Sequence, residues 1–127
     1  MGEHSLTRAL RELLLARRTA ALGTLDEHGG VFVSMVPFAI DSTASELVLH
    51  VSGLAAHSGN MQRTPRVSLL VCAAEPEGEP VHALPRVTLD ALARFAEPGS
   101  PEAEASRSVY LQRFPEAKIL AFSMHRD

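Results

Sequence analysis

The chain has 127 residues, of which 46% are hydrophobic and 21% are charged. A chain of this length builds one hydrophobic core, so we expect a single domain over residues 1–127. The composition is too apolar for a disordered chain, and no run of eighteen apolar residues predicts a transmembrane helix. Twelve Lys and Arg against fifteen Asp and Glu give a net charge of −3, which argues against nucleic acid as a partner.

The cysteine content and the N-terminal residues both predict a cytoplasmic protein. Cys72 is the only cysteine, so the chain can form neither an internal disulfide nor a thiolate zinc site. The first residues lack the basic segment and cleavage site of a secretion signal. We therefore expect a cytoplasmic protein with no membrane partner. Cys72 itself alternates with apolar residues on a predicted strand, which favours a structural thiol over a nucleophile.

Hydrophobic periodicity predicts three helices and five or six short strands. The first helix covers residues 5–18, where leucines and alanines recur at helical spacing, and the last helix begins at Ser100 with Pro101 in its first turn. Short strands joined by turns favour a small antiparallel barrel over alternating parallel strands and helices. The remaining predicted elements are strands over residues 19–25, 31–40, 46–51, 66–72, 86–95 and 118–122, a helix over 54–63, and turns at 26–30 and 41–45.

The strand over residues 31–40 is apolar on both faces. Val31, Val33 and Met35 share one face, and the other face carries Phe32, Val36, Phe38 and Ile40. A strand of this kind is covered on both sides, which in so short a chain implies a partner subunit, a ligand, or both. The alternative is a central strand of a sandwich, which has a similar pattern. Pro37 interrupts the hydrogen-bond ladder, which predicts an edge strand, a bulge or a close approach by another molecule.

The segment from Val51 to Met61 is the strongest candidate for a binding site. A strand over residues 46–51 ends there, with Leu47, Leu49 and Val51 inward and Glu46 and His50 outward, and a helix begins. The free backbone N–H groups at a helix start favour an anion, typically a phosphate. The side chains that can add donors are Ser52, His57, Ser58 and Asn60. The alternative is an ordinary helix start, with Ser52 as its N-cap and the other side chains in solvent.

Other kinds of site have little support in the sequence. The six histidines, at positions 4, 28, 50, 57, 82 and 125, form no spaced pair, so we predict no metal site. No glycine-rich nucleotide loop is present, and Ser34 and Ser58 lack the sequence around a hydrolase nucleophile. No side chain is identified as a catalytic acid or base, and Tyr110 is assigned to packing of the last helix.

Several segments match one known family in order and spacing. They are Ala21–Leu25, Ser34–Phe38, Val51–Ala55, His57–Met61 with Pro65–Leu70, and Pro85–Leu89. In these segments, across roughly residues 10 to 120, the chain resembles the pyridoxamine 5′-phosphate oxidase-like superfamily of FMN-binding split barrels. Within that superfamily it is most similar to the haem-utilisation (HugZ-like) branch.

The resemblance implies a mainly β fold with peripheral helices, built as a six-stranded antiparallel split β-barrel. It further implies a homodimer with two FMN sites at the subunit interface. The flavin ring would lie along Ser34, Met35, Val36, Pro37 and Phe38, largely against backbone groups. The phosphate would be surrounded by Val51, Ser52, His57, Ser58 and Asn60, with His57 favoured in its cationic form. Arg86 would add a polar contact from the following strand.

The sequence departs from the family pattern at two places. Ala56 and His57 stand where the oxidase branch has an Arg–Lys pair, and Gly59 stands where the haem-utilisation branch has a basic residue. Loss of one charge-assisted contact costs about 1.5–3 kcal/mol, so we expect weakened FMN binding. The sequence also ends before the C-terminal Arg and His residues that bind vitamin B6, and before the added region of haem-degrading members. We therefore expect no pyridoxamine phosphate oxidation.

The leading hypothesis is a homodimeric FMN-binding oxidoreductase that acts on an unidentified small molecule. The first alternative is a haem-binding or haem-utilisation protein on the same fold. The second alternative is a non-catalytic dimer that has lost tight cofactor binding, for which Ala56 and Gly59 are the supporting residues. Related barrels hold FMN, haem or a deazaflavin, so the sequence leaves all three ligands open.

Overall fold

The computed structural model describes residues 5–41 and 46–117. The predicted strand over residues 118–122 and residues 42–45 of the predicted turn lie outside these ranges. Single 3₁₀ turns occur at Val81–Ala83 and Pro115–Ala117. The main elements are α1 (Ser5–Ala16), β1 (Thr19–Leu25), β2 (Val31–Pro37), β3 (Ala39–Asp41), β4 (Glu46–Val48), α2 (Ala56–Arg63), β5 (Arg66–Cys72), β6 (Arg86–Leu92) and α3 (Pro101–Arg113).

The strands form two antiparallel sheets. The larger sheet has four strands in the order β2–β1–β5–β6, so β2 and β6 are its edges among the described residues, and the smaller sheet pairs β3 with β4. The mainly β architecture with three helices agrees with the sequence prediction. Across residues 5–41 and 46–117 the two sheets are not joined by strand pairing, so a closed barrel is not seen there.

The turn between β1 and β2 sets the register of β2, the strand that carries Ser34 and the other residues predicted to lie beside a ligand. Asp26 Oδ1 accepts hydrogen bonds from the backbone N–H groups of His28 (2.9 Å) and Gly30 (2.7 Å), and Gly29 adopts a positive φ of 82°. This tight turn is a favourable use of Asp and Gly. It aligns β2 so that Ser34 lies opposite Leu22 of β1.

Pro37 divides the predicted strand over residues 31–40 into two. Proline has no N–H to donate, so β2 ends at Pro37. The next residue, Phe38, donates its backbone N–H to the Arg18 carbonyl (3.0 Å) and is fully buried. The chain then continues as β3 in the second sheet. Within one chain the two faces of β2 differ in exposure. Val31 and Met35 on the outer face are 79% and 67% exposed, whereas Val36 on the inner face is buried.

The main core lies on the inner face of the four-stranded sheet. Met61 of α2 and Phe38 cover residues that alternate along β1, β2 and β5. A second cluster lies between the two-stranded sheet and α3, where Tyr110 is 7% exposed and stacks on Phe114 with ring centroids 4.9 Å apart. The predicted packing role of Tyr110 is confirmed. The buried residues of the main core are Ala20, Leu22, Val36, Phe38, Met61, Val67, Leu69 and Val71.

Helix α3 covers a face of β4 that was predicted to meet solvent. Val48 is buried in the cluster beside α3, and the ring centroid of His50 lies 5.5 Å from that of Tyr110. The prediction that His50 points to solvent is therefore wrong, because local alternation carries no information about the helix that packs there. Ser100 begins α3 as predicted, with its Oγ accepting from the Ala103 N–H at 3.1 Å.

Replacing Leu22 by Ala removes a side chain that is fully buried on the inner face of β1. We expect the free energy of unfolding to fall by about 2–5 kcal/mol. Leu15→Ala is the matched control, because Leu15 on α1 is 53% exposed and its loss should cost less than about 0.5 kcal/mol. Urea unfolding at one protein concentration measures both variants. Equal losses would contradict the placement of the core on this face.

Candidate functional site

A hydrogen bond between Ser34 and His57 joins the edge strand β2 to the first turn of α2. Ser34 Oγ and His57 Nδ1 are 2.9 Å apart, and both side chains are half-buried. The contact uses one ring nitrogen of His57 and leaves Nε2 outside it. Two residues predicted on separate segments of the sequence are thus brought together in one place.

The loop before α2 is folded around the carbonyl of Ser52. This carbonyl accepts hydrogen bonds from the backbone N–H of Ala55 (3.1 Å) and from the hydroxyl of Ser58. Ser52 Oγ accepts from the N–H of Leu54 at 3.1 Å, so it closes the turn before the helix. It is not the N-cap: that position belongs to Ala55, which has no side-chain cap. Leu54 is left 98% exposed at the tip of the loop.

Ser58 and Asn60 lie inside the protein and hold α2 in place. They are 1% and 3% exposed. Asn60 Nδ2 donates to Thr24 Oγ1 of β1 at 2.9 Å, and Asn60 Oδ1 accepts from Arg63 Nη2 at 2.8 Å. Direct contact of either side chain with a cofactor stays a prediction. Sequence reasoning missed Thr24, although a polar residue at an inward position of β1 indicated that a buried partner was needed.

Burial governs the charge of His57. Removal of the ring from water disfavours its charged form, so the pKa of His57 lies below its ordinary value of about 6.5. We expected a cationic ring beside a phosphate. The pKa direction is the opposite, and the neutral imidazole is favoured at neutral pH.

The β2 segment predicted to lie beside a flavin ring divides between core and surface. Val36 and Phe38 are buried in the main core, and Pro37 is half-buried. Ser34 is partly accessible, and Met35 is exposed on the outer face of the sheet. β2 is an edge strand of the described sheet, so part of its backbone N–H and C=O groups point away from β1. The predicted backbone contacts with a flavin ring would need groups in this position.

Arg86 lies at the opposite edge of the sheet. It begins β6 opposite Cys72 of β5, is exposed, and donates from Nη1 to the carbonyl of Leu84 at 3.0 Å. Two strands separate β6 from β2, a span of about 14 Å at the usual strand spacing. One chain therefore does not bring Arg86 next to the Ser34–His57 pair. Val51, the remaining predicted site residue, is half-buried against the main core.

Metal clusters and membrane-spanning helices are both absent from the part of the chain that the structure describes. No three His, Cys, Asp or Glu side chains come together there in a group that could hold a metal ion. No helix within residues 5–41 or 46–117 is long and apolar enough to cross a bilayer.

The pKa of His57 can be measured by following its ring protons by NMR as pH changes, with His57→Gln used for assignment. We expect a midpoint below about 6.5, because burial opposes the charge. The lowered pKa contributes stability that is present above pH 6.5 and is lost as pH falls through the folded-state value. The stability of the wild type relative to His57→Gln should therefore decrease in acid. A midpoint above 6.5 would contradict a neutral resting ring.

The chain matches known proteins along nearly its whole length. A family model described as pyridoxamine 5′-phosphate oxidase matches residues 6–125. The haem oxygenase HutZ of Vibrio cholerae serotype O1 is 33% identical over 88 residues, which are 69% of this chain and 49% of HutZ. The chain therefore spans about half the length of this curated relative.

Solved structures that share the fold include two haem-related proteins. A haem-binding protein from Mycobacterium smegmatis gives a TM-score of 0.80 at 28% identity, over 94% of this chain and 47% of that one. HutZ from Vibrio cholerae, described there as a haem storage protein, also gives 0.80, at 26% identity over 96% of this chain and 90% of that one. The resemblance inferred from the sequence is confirmed. The chain belongs to the pyridoxamine 5′-phosphate oxidase family of split-barrel proteins, in its haem-utilisation branch.

Proposed function

We propose that this protein binds haem at the free edge of β2, as a haem-utilisation protein. The observation that carries the proposal is the Ser34–His57 hydrogen bond, which holds a half-buried imidazole beside an apolar edge strand. The haem-related names of the relatives from Vibrio and Mycobacterium support the same reading. Haem thus replaces FMN as the leading ligand.

The side chains around this edge fit the chemistry of haem. Proteins hold a haem with an axial ligand, apolar walls and donors for its propionates. A neutral imidazole is available at His57, and two exposed apolar side chains lie near it: Phe32, on the same face of β2 as Ser34, is 38% exposed, and Leu54 is 98% exposed. When bound, the haem supplies an iron that takes up ligands and electrons. The chain supplies the wall and the imidazole.

FMN is the second candidate, because the resemblance to the family of FMN-binding split barrels implies it. The loop that ends at Ala55 presents the start of α2, where backbone N–H groups can hold a phosphate. The side chains expected to assist are less suitable. The lowered pKa of His57 disfavours a positive charge, the hydroxyl of Ser58 is engaged with the Ser52 carbonyl, and Asn60 is buried. We therefore expect FMN to bind more weakly than haem.

A second copy of the chain would complete the site, and we propose that the protein is a homodimer. The outer face of the sheet is unusually apolar at its two edges, where Val31 and Leu92 are 79% and 71% exposed. A two-fold interface joins the same patch on both subunits, so it can place β6 of one copy over β2 of the other. The partner's Arg86 would then lie near the Ser34–His57 pair. Within one chain, the strands that carry Arg86 and Ser34 are about 14 Å apart.

The proposed dimer also assigns roles to the predicted barrel and to the predicted site residues. We propose that the six strands form the split barrel of the family within a single domain of residues 1–127. In this arrangement the outer face of β2 is covered by the partner and its free edge by the ligand. Ser34 fixes the ring of His57, and the partner's Arg86 pairs with an anionic group of the ligand.

Titration of the purified protein with haem tests the proposed function. We expect a saturable rise of a Soret band at about one haem per chain, and a weaker affinity for FMN in a parallel titration of flavin fluorescence. Saturation by FMN alone would favour the oxidoreductase reading. Saturation by neither ligand would overturn the proposal and favour a dimer without a cofactor.

Met35→Glu tests the proposed dimer, because it places a charge in the apolar outer face. We expect the dissociation constant of the dimer to rise by about tenfold or more, measured by sedimentation velocity over a range of concentrations. Val81→Glu is the matched control: Val81 is 57% exposed on a 3₁₀ turn outside this face, and its variant should stay dimeric. A monomeric wild type, or a Met35→Glu variant that dimerises normally, would refute the interface.

A further inference from the structure

We propose that the cavity between the ends of α1 and α3 binds a small aromatic carboxylate. The cavity has a volume of about 550 Å³, which is in the range of small-molecule sites. It lies where the end of α1, the start of β1 and the end of β2 meet the end of α3, and neither Ser34 nor His57 lines it. This second site is therefore separate from the one proposed for haem.

The walls of this cavity are mostly apolar. Tyr110 and Phe114 of α3 line it, with their ring centroids 4.9 Å apart. Pro37 at the end of β2 and Ala16 at the end of α1 also line it. Because both rings belong to the second core cluster, the aromatic wall is formed before any ligand binds. Such a wall stabilises a flat hydrocarbon body that covers it.

Two arginines supply positive charge at this cavity. Arg17 is half-buried, and its Nε is buried without a hydrogen-bond acceptor among residues 5–41 and 46–117. A buried N–H without an acceptor is unfavourable, so an anion that accepts from it is bound more strongly than at an open surface. Arg18 lies over the Phe114 ring, with its guanidinium carbon 4.9 Å from the ring centroid. Cationic and aromatic groups thus lie side by side.

Glu116 is the one acidic residue in the described lining, and it competes with a ligand for Arg18. Its carboxylate is 3.3 Å from Arg18 Nη2, and both side chains are more than half exposed. Exposed ion pairs of this kind contribute little to stability, so a ligand carboxylate can replace Glu116. Arg17 and Arg18 against Glu116 leave the described lining positive, in a chain whose net charge is −3.

Neutralising the C-terminal end of α1 is the alternative role for these arginines. The last carbonyls of a helix carry partial negative charge and attract cations. Arg113 of α3 already meets this need, because its Nη2 donates to the carbonyls of Leu15 (3.2 Å) and Arg17. The guanidinium of Arg17 is therefore not needed there. A carboxylate suits it, since a planar guanidinium can donate two parallel hydrogen bonds to the two oxygens.

Titration of the whole chain with sodium benzoate, followed by the NMR signals of the arginine Nε–H groups, tests this site. We expect the Arg17 Nε–H signal to shift and to saturate with a dissociation constant of about 1 mM. Benzamide has the same ring without the charge, and inorganic phosphate has charge without the ring, so each should bind about tenfold or more weakly. Equal affinity for benzamide would overturn the anionic part of the proposal, and equal affinity for phosphate would overturn the aromatic part.

Arg17→Gln should bind benzoate about tenfold or more weakly, because it removes a charge-assisted hydrogen bond. The backbone amide signal of Thr19, which lines the same cavity, reports binding in this variant. Arg11→Gln is the matched control, because it makes the same change of charge on α1 at an exposed position outside the lining. It should bind benzoate as the wild type does.

Arg18→Gln keeps the proposal testable if Arg17→Gln does not fold, because Arg18 is exposed and its loss leaves the core intact. We expect it to weaken benzoate binding by about threefold. Wild-type affinity in both Arg17→Gln and Arg18→Gln would overturn the proposal. So would the absence of a saturable shift at Arg17 in the wild type, a result that has no bearing on haem binding.

Discussion

The buried hydrogen bond from Asn60 to Thr24 fixes helix α2 on the sheet, and the geometry of the candidate site depends on it. A polar pair away from water must be satisfied, so the two side chains allow few other positions for the helix. Met61, the next residue, fills the core on the same side. His57 is one turn earlier on the same helix. The distance between His57 and Ser34 is therefore set by contacts that involve neither His57 nor Ser34.

The four-stranded sheet has apolar residues on both faces, so one face can form the core while the other can contact a second molecule. The inner face, with Leu22 and Leu69, forms the core. Antiparallel sheets usually present polar side chains on the other face. Here the outer face of β2 carries Val31, Val33 and Met35 instead, all more than half exposed. The core keeps the fold together, and the outer face is the one that the proposed partner subunit would cover.

Much of the fold was predictable because it depends on local pattern. Alternation and flanking turns gave β1 and β5 with the bounds that the structure has, and Ser100 marked the start of α3. Pro37 was recognised as an interruption, but the change of sheet that follows depends on contacts far along the chain. His50 was misplaced for the same reason, since only the packing of α3 shows which face of β4 is covered.

The site was predictable in its residues and less so in their roles. Resemblance to the family identified Ser34 and His57, and the structure brings them into contact. That Ser58 and Asn60 are buried could not be read from their spacing, because burial depends on the sheet beneath the helix. Thr24 was overlooked because its partner is 36 residues away along the chain.

The break at Pro37 has a further consequence for the isolated chain. By ending β2 it leaves a seven-residue edge strand, rich in valine and without a charged side chain, whose backbone can pair with any extended segment. Natural sheets commonly protect such edges with lysine or a bulge. Within residues 5–41 and 46–117 this strand has neither protection, and Pro37 protects only its last position. We expect a lone subunit to be prone to edge-to-edge aggregation. Dimerisation and ligand binding would then complete the site and would also keep the protein in solution.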